Sequence, residues 1–271
     1  TEVIRKNPDS DGAQNCKVLQ QQLERQSLQL SMESVNVPDK PFLSLVDFRN
    51  TPKLWFKIIQ IDYNEERNFR NEYQNTRDLL VKYLSFPVKQ SWIIEIPDDG
   101  DFQGHSAEVK IPALPLGYYV VLASTTPEFL PDSSLTAIDS FWISSISYIS
   151  QSKDKAGYKF YILDRESGAA LPNVNVKMFY RQYDYRNRKY EYQEGGNFIS
   201  DGKGSFEIPA LDANARANSF SLEFTLKGDK LVTGDQYYHS GYYPPEERKE
   251  TRTWFFTDRS IYRPGQTVYF K

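Results

Sequence analysis

The 271-residue chain has few of the side chains on which many catalytic and metal sites depend. It contains one cysteine, Cys16, and two histidines, His105 and His239. One cysteine excludes an internal disulfide. A zinc site needs three or four converging ligands at short spacings, which two distant histidines do not supply. The sequence therefore predicts no metal and no cofactor, and we interpret both histidines as exposed loop residues.

An excess of positive charge and long apolar runs are also lacking. The net charge is −3, the pI is about 5.6, and charges of both signs are interspersed. A nucleic-acid-binding protein would show a concentrated basic face, so we expect no nucleic-acid partner. No apolar run approaches the ~20 residues that a membrane-spanning helix needs, so we expect no direct membrane insertion. Neither a Gly-rich phosphate loop nor a nucleophile elbow is present, and the sequence predicts no enzyme.

Short runs of aromatic and β-branched residues, most of them ended by Pro, Gly or Asp, are what the chain has in quantity. About seven such runs between the N-terminal segment and residue 150 are typical of a β-sandwich. A chain of 271 residues that is 39% hydrophobic is long enough for two sandwiches. The predicted fold class is all-β, with tandem antiparallel β-sandwiches. The predicted regions are a helical tail of a preceding region at 1–25, a first sandwich at 26–150, a second at 151–251 and the start of a third, truncated domain at 252–271.

The N-terminal segment has helical spacing. Asp11 is a candidate cap, and apolar side chains follow at Ala13, Cys16, Leu19 and Leu23. Cys16 falls on this apolar face, where we expect it to be a small buried hydrophobic residue. The alternative is a nucleophile or a lipid-attachment site, although no histidine or basic partner lies nearby in the sequence.

A second helical stripe interrupts the strand pattern near residues 66–84. Phe69, Tyr73, Thr76, Leu80 and Tyr83 follow one another at steps of four and three, and the other faces are mostly polar. We expect one inserted helix that packs on its own sandwich, because so aromatic a stripe needs cover. A helix that binds a partner is the alternative.

An acidic run holds the best candidates for metal or catalytic chemistry. Asp98, Asp99 and Asp101 cluster within PDDGD, and hard oxygen ligands of this kind suit calcium. The complete calcium-loop pattern with a distal bidentate glutamate is missing, so we interpret the run as an acidic hairpin turn. An enzyme would require a pocket that gathers these carboxylates with His105.

Tyrosines form the best candidate for an interaction surface. Tyr183, Tyr185, Tyr190 and Tyr192 alternate along the two arms of a predicted polar hairpin, DYRNRKYEYQ. They could bind a glycan or a peptide, or they could stiffen the hairpin by cross-strand pairing without any ligand. Four further tyrosines could extend the surface: Tyr237, Tyr238, Tyr242 and Tyr243.

The C-terminal sequence FFTDRSIYRPGQTVYFK, residues 255–271, contains Tyr-Arg-Pro-Gly-Gln-Thr-Val. Pro264 and Gly265 predict a tight turn, after which Val268 and Phe270 alternate along a strand. The sequence resembles the opening strands of the macroglobulin domain that carries the Tyr-(Arg/Lys)-Pro-Gly-(Gln/Glu)-Thr-Val signature in the alpha-2-macroglobulin family. Turns at 168–172 and 201–204 are similar to those of bacterial members. The resemblance covers about residues 140–271 and implies sandwiches of the macroglobulin or fibronectin-III-like type.

The resemblance implies a role in a large bacterial envelope protein that traps proteases. In that family a protease cuts a bait region, the molecule rearranges, and in many members a thioester formed within Cys-x-Glu-Gln captures the protease. Cys16 is followed by Lys17, Val18 and Leu19, which do not match that pattern. This segment is therefore expected to be a non-catalytic scaffold within a protease inhibitor.

The same resemblance implies partners and a location. The expected partners are proteases, met through the full-length protein, and neighbouring domains of the same chain. The expected location is the periplasm or the cell surface, with a lipid anchor on an N-terminus beyond this sequence. The alternative function, which the tyrosines suggest, is an adhesive or glycan- or peptide-binding β-sandwich module of a surface protein.

Overall fold

The computed structural model describes residues 2–73, 75–96, 100–132, 134–153, 157–210, 218–234, 237–239 and 265–269. These residues form two β-sandwiches that follow each other along the chain, with antiparallel pairing in almost every ladder. The predicted all-β class with tandem sandwiches is confirmed. The predicted third domain at 252–271 lies outside the described residues apart from 265–269.

Two helices precede the first strand, α1 (Glu2–Lys6) and α2 (Asp11–Glu24). The cap of α2 is Ser10, whose Oγ accepts a hydrogen bond from the Ala13 backbone N at 3.1 Å. The prediction of Asp11 as the cap was therefore wrong by one residue, and Asp11 lies in the first turn, where a negative charge favours the helix N-terminus. Ala13 is buried, but Leu19 and Leu23 are exposed, so the described residues do not cover the predicted apolar face.

The first sandwich packs a three-stranded sheet on a five-stranded sheet, in the orders β1-β3-β6 and β2-β8-β7-β4-β5. Its strands are β1 (Ser27–Met32), β2 (Val35–Asn36), β3 (Phe42–Arg49), β4 (Lys53–Gln60), β5 (Val88–Glu95), β6 (Gly104–Ile111), β7 (Gly117–Ser124) and β8 (Thr136–Ile143).

The chain changes sheets between β1 and β2. β1 pairs antiparallel with β3, whereas β2 pairs parallel with β8 in the other sheet, with Val35 opposite Trp142. The sequence pattern predicts one strand with a slip in its alternation between Met32 and Val35. That slip marks the place where the backbone crosses from one sheet to the other.

β7 is buried on both faces because layers cover both sides of its sheet. Tyr119, Val121 and Ala123 face the sandwich core, and Tyr118, Val120 and Leu122 belong to the apolar cluster on the opposite side. Side chains of a strand alternate between faces, so a strand with both faces covered reads as a continuous apolar run. The segment GYYVVLAS has this composition.

The cover on that outer side comes from α3 (Tyr63–Glu72) and α4 (Thr76–Leu84), which lie between β4 and β5. Phe69, Leu80 and Tyr83 are buried in the cluster with Val120. The expectation that the insertion packs on its own sandwich agrees with this arrangement. The prediction of one continuous helix was wrong. The Asn75 side chain accepts a hydrogen bond of 2.8 Å from the Asp78 backbone N and starts a new helix.

The second sandwich repeats the same layering with sheets in the orders β13-β10-β9 and β12-β11-β14-β15, and β16 also pairs with β14. Its strands are β9 (Ile146–Ser152), β10 (Tyr158–Asp164), β11 (Asn175–Asp184), β12 (Lys189–Ile199), β13 (Ser205–Ile208), β14 (Asn218–Leu226), β15 (Asp229–Val232) and β16 (Tyr237–His239).

Phenylalanines fill the core of the second sandwich. Phe160 on β10 stacks on Phe206 on β13 with ring centroids 5.0 Å apart, and Phe224 on β14 packs from the facing sheet. These side chains share one apolar cluster with Trp142 and with the α3–α4 layer of the first sandwich. The two sandwiches therefore meet through a continuous apolar core at the junction between β8 and β9.

Candidate functional site

The tyrosines predicted as an interaction surface lie on one face of the β11–β12 hairpin. Tyr183 is directly opposite Tyr190 in the ladder, with ring centroids 5.0 Å apart. Tyr185 packs edge-on against Tyr183 at 5.1 Å and is 79% exposed. Tyr192 is on the same face but further down the hairpin, because side chains two residues apart in a strand point the same way. The structure thus gathers three of the four rings at the hairpin end and places Tyr192 apart.

Arginines stack on this face, which sequence reasoning did not anticipate. The Arg181 guanidinium lies 3.7 Å from the Tyr190 ring centroid, and the Arg67 guanidinium of α3 lies 3.6 Å from the Tyr192 ring centroid. Contacts of this kind combine stacking with cation–π attraction. Arg67 belongs to the first sandwich and Tyr192 to the second, so no local sequence pattern could have indicated the contact.

A groove of about 410 Å³ separates α3 from the hairpin. The α3 wall carries Arg67, Asn68, Asn71 and Glu72, and the hairpin wall runs from Lys189 to Tyr192. The groove mixes amides, charges of both signs and aromatic rings. Such a surface can hydrogen-bond and stack, but it contains no paired general acid and base with a nucleophile.

A buried polar network lies on the other side of α3. Glu66 is 2% exposed and accepts hydrogen bonds from the Tyr83 hydroxyl at 2.5 Å and from the Tyr118 hydroxyl at 3.3 Å. Arg70 forms an ion pair with the same carboxylate, and its Nε donates a 3.0 Å hydrogen bond to Tyr83. Buried charges persist in folded proteins when they are paired in this way.

The tyrosines of this network are held in their neutral form. Burial raises the pKa of Tyr83, and the hydrogen bond to Glu66 raises it further. Burial likewise raises the pKa of Tyr118, with the negative charge of Glu66 as the next cause. Neutral hydroxyls that satisfy a buried carboxylate stabilise the attachment of α3 and α4 to the sheet. We therefore interpret the network as structural. The sequence signal was Glu66 and Arg70 four residues apart on a helix.

A second groove, of about 520 Å³, opens at the junction of the two sandwiches. Tyr63, Tyr118 and Trp142 are among the residues that line it, with ring centroids 4.8–5.3 Å apart. Lys89 from the first sandwich and Lys230 from the second lie at its sides, and Lys230 forms a 2.7 Å ion pair with Glu223. These rings belong to the packing between the sandwiches.

Comparison with solved structures addresses the fold. A crystal structure of native alpha-2-macroglobulin from Escherichia coli spanning domains MG0, NIE and MG1 superposes with a TM-score of 0.50 at 13% sequence identity, covering 77% of this chain and 64% of that chain. The chain has the fold of these macroglobulin domains. No family model and no curated protein matches the sequence.

Two other structural neighbours have lower scores. The segment of the same E. coli protein spanning NIE and MG1 has a TM-score of 0.48 at 14% identity and covers 78% of this chain and 97% of that chain. A red sea bream transglutaminase has a TM-score of 0.34 at 12% identity and covers 86% of this chain and 34% of that chain. Neither score is high enough to carry a conclusion. The chain spans about two thirds of the MG0-NIE-MG1 segment, itself part of a larger protein.

The strands on either side of the acidic run, β5 and β6, belong to different sheets, so the prediction of a hairpin between them was wrong. Asp101 Oδ1 lies 3.0 Å from His105 Nε2. His105 lies in strand β6 and not in a loop, and its ring stacks on Phe48 with centroids 5.9 Å apart. Asp98 and Asp99 lie outside the described residues.

The remaining candidates are scattered. Cys16 is half-buried on α2 with a free thiol. Tyr237 is buried, Tyr238 is exposed, and Tyr242 and Tyr243 lie outside the described residues. In the part of the chain that the structure describes, no group of three or more His, Cys, Asp or Glu residues could hold a metal ion. Among the described helices, none combines the length and the apolar character that crossing a membrane requires.

Proposed function

We propose that this chain is a non-catalytic scaffold segment of a bacterial alpha-2-macroglobulin-type protease inhibitor that acts in defence of the cell envelope. The observation that carries the proposal is the fold shared with the E. coli MG0-NIE-MG1 segment. The Tyr-Arg-Pro-Gly-Gln-Thr-Val motif at 262–268 supports it separately, because the motif is a feature of the sequence and not of the compared fold.

The architecture suits a scaffold. The ion pair of Glu66 with Arg70 helps to hold α3 and α4 on the sheet of the first sandwich, and one apolar cluster runs through both sandwiches. Rigid sandwich walls position other parts of a large protein without taking part in chemistry. In this proposal the bait region and any thioester belong to other segments of the full-length protein, and proteases meet the chain only through that protein.

The proposal includes a location in the periplasm or at the cell surface, where foreign proteases are encountered. A lipid anchor on a preceding segment would hold the protein at the membrane. Fractionation of cells followed by detection of the full-length protein with an antibody to this chain tests the location directly.

A thiol titration of the full-length protein tests the covalent trap. A thioester is an acyl group that an amine can open, so methylamine should release one new thiol per molecule. The Cys16→Ser variant is the matched background, because Cys16 contributes a thiol that does not come from a thioester. Release of one thiol in both proteins supports a covalent trap.

A protease-shielding assay separates the remaining outcomes. The full-length protein is incubated with a protease, and activity is compared on a small peptide and on a large protein substrate. A trap preserves activity on the small substrate and removes activity on the large one. If methylamine releases no thiol and neither activity changes, the protease-trap function is wrong for this protein.

A further inference from the structure

The end of the β11–β12 hairpin carries an exposed cluster of tyrosine and arginine side chains. Among the described residues, the pairing of β14 with β11 extends to Arg181, opposite Ser219. The pairing of β11 with β12 continues past that point to Asp184, opposite Lys189. We call residues 182–191 the hairpin tip. A two-stranded ribbon is only marginally stable in water without further packing, so the tip depends on contacts between its own side chains and with its surroundings.

Two arginine–tyrosine stacks hold the base of the tip in one position. Arg181 covers Tyr190 at 3.7 Å, and Arg67 of α3 reaches across from the first sandwich to cover Tyr192 at 3.6 Å. The Arg67 guanidinium also donates a 2.9 Å hydrogen bond to Asn64. The two stacks therefore hold Tyr190 and the base of the tip in place before any partner binds, which reduces the ordering needed there.

The exposed rings of the tip have the chemistry of interface anchors. Tyr183 and Tyr190 are 40% and 42% exposed, and Tyr185 is 79% exposed. Tyrosine supplies a large, rigid, amphipathic contact area with only two side-chain torsions, and tyrosine and arginine are enriched at binding hot spots. Cross-strand pairing explains why Tyr183 and Tyr190 face each other. Tyr185 lies in the turn, outside the paired strands, and keeps most of its surface exposed although it touches Tyr183.

The exposed charged side chains at the turn of the tip are arginines, although the net charge of the chain is negative. The Asp184 carboxylate accepts hydrogen bonds from the backbone N of Arg186 at 2.8 Å and from Asn187 Nδ2 at 2.7 Å. The hydrogen bond from Arg186 and those from Asn187 lower the pKa of the Asp184 carboxyl group and hold this side chain in the turn. Arg186 and Arg188 are exposed, and within the described residues no ion pair or side-chain hydrogen bond is found for either.

We propose that the hairpin tip docks onto an acidic surface of a protein partner. Tyr183, Tyr185 and Tyr190 provide the contact area, and Arg186 and Arg188 pair with carboxylates of the partner, since charge complementarity favours that sign. This inference does not depend on the protease-trap function, because it concerns a surface that the sandwich cores do not use.

Site-specific photo-crosslinking in the full-length protein tests the proposal. Tyr185→p-benzoylphenylalanine keeps an aromatic side chain at the tip and forms covalent adducts with whatever lies against it. Ile199→p-benzoylphenylalanine is the control, because Ile199 is 63% exposed and lies at the opposite end of β12 from the tip. Mass spectrometry of the adduct at position 185 is expected to identify a protein segment rich in aspartate and glutamate that position 199 does not capture.

Charge reversal decides whether the adduct reflects the proposed chemistry. Arg186→Glu with Arg188→Glu is expected to reduce the adduct at least about tenfold, because like charges across an interface are strongly unfavourable. Lys203→Glu, in another exposed turn, is expected to leave the adduct unchanged. Arg186→Gln with Arg188→Gln provides a milder variant with an intermediate loss. Circular dichroism of each variant confirms that it is folded.

Three results would overturn the proposal. They are no adduct at position 185 above the level at position 199, an adduct with a glycan instead of a protein, and a protein adduct that charge reversal leaves unchanged. The glycan result would replace the acidic protein surface with a carbohydrate as the ligand of the tip. Each of these three results can be told apart from failure of the protease-trap function, because that function is measured by thiol release and protease shielding.

Discussion

The Tyr83 hydroxyl donates a 2.5 Å hydrogen bond to the Glu66 carboxylate, which links α4 to α3 inside the apolar layer that covers the five-stranded sheet. Because both groups are buried, neither can exchange this contact for water. Arg70 forms an ion pair with the same carboxylate. Removal of one partner therefore leaves a buried polar group with an incomplete set of hydrogen bonds.

The variant Tyr83→Phe is expected to lower the free energy of unfolding by about 1–3 kcal/mol, the usual effect of leaving a buried acceptor unsatisfied. Urea denaturation followed by circular dichroism measures the change. Tyr185→Phe is the matched control, since Tyr185 is 79% exposed and its loss should change stability by less than about 0.5 kcal/mol. Equal effects of the two substitutions would show that the network does not stabilise the fold.

Exposed tyrosines should ionise at a lower pH than the buried tyrosines Tyr83 and Tyr118. The folded-state pKa values of Tyr83 and Tyr118 are raised, first by burial. Their contribution to stability is thus fully present below the unfolded value of about 10 and is lost as pH rises through the folded values. We expect tyrosinate absorbance to rise first for exposed rings and for these two only at higher pH or on unfolding. Tyr83→Phe should remove part of the late phase, and a titration in which all tyrosines ionise together would contradict this.

Two glycines of one turn should respond differently to alanine. Gly204 has φ +71°, and a Cβ there would lie 2.6 Å from the Ile162 carbonyl oxygen, so Gly204→Ala is expected to destabilise the protein by about 1–3 kcal/mol. Gly202 has open space around it, and Gly202→Ala should change stability by less than about 1 kcal/mol. Thermal unfolding of both variants measures the difference, and comparable losses would mean that the turn is not constrained as described.

Asp229 should make stability depend on pH at the junction of the sandwiches. It is buried, and the Ser145 backbone N donates a 2.8 Å hydrogen bond to its Oδ2. Burial raises the pKa of its carboxyl group. A raised folded-state pKa means that protonation favours folding, so the contribution is fully present below the unfolded pKa and is lost as pH rises through the folded pKa.

The wild-type protein should therefore lose stability relative to Asp229→Asn as pH rises from about 4 towards neutrality. Urea denaturation of both proteins over this range gives the difference in unfolding free energy at each pH. A difference that is independent of pH, or one that changes in the opposite direction, would contradict the assignment.

Local patterns predicted much of this fold. Alternation indicated β3, β4 and β11, and the two-residue hairpin between β14 and β15 follows from Lys227 and Gly228, which have φ of 49° and 89°. The division of the helical insertion into α3 and α4 also had a local signal. Asn75 followed three residues later by Asp78 is a capping pattern, which the apolar stripe across it concealed.

Long-range contacts had no such signal. The parallel pairing of β2 with β8 joins residues more than 100 positions apart, and the stack of Arg67 on Tyr192 joins two sandwiches. Periodicity describes which face of an element is apolar but not which distant element covers it. For the candidate site, the sequence therefore indicated the four tyrosines of the hairpin, whereas the arginines that hold two of them in place became visible only in three dimensions.

The apolar cluster that runs from β7 through α3 and α4 into the second sandwich has a mechanical consequence. Domains that share little apolar surface bend at their linker, whereas a large apolar contact resists bending. A cut near residue 150 would expose Trp142 and Ile146, so each half made alone should tend to aggregate. We therefore expect the two sandwiches to move together as one unit. The stack of Arg67 on Tyr192 would pass a force on the β11–β12 hairpin directly to α3.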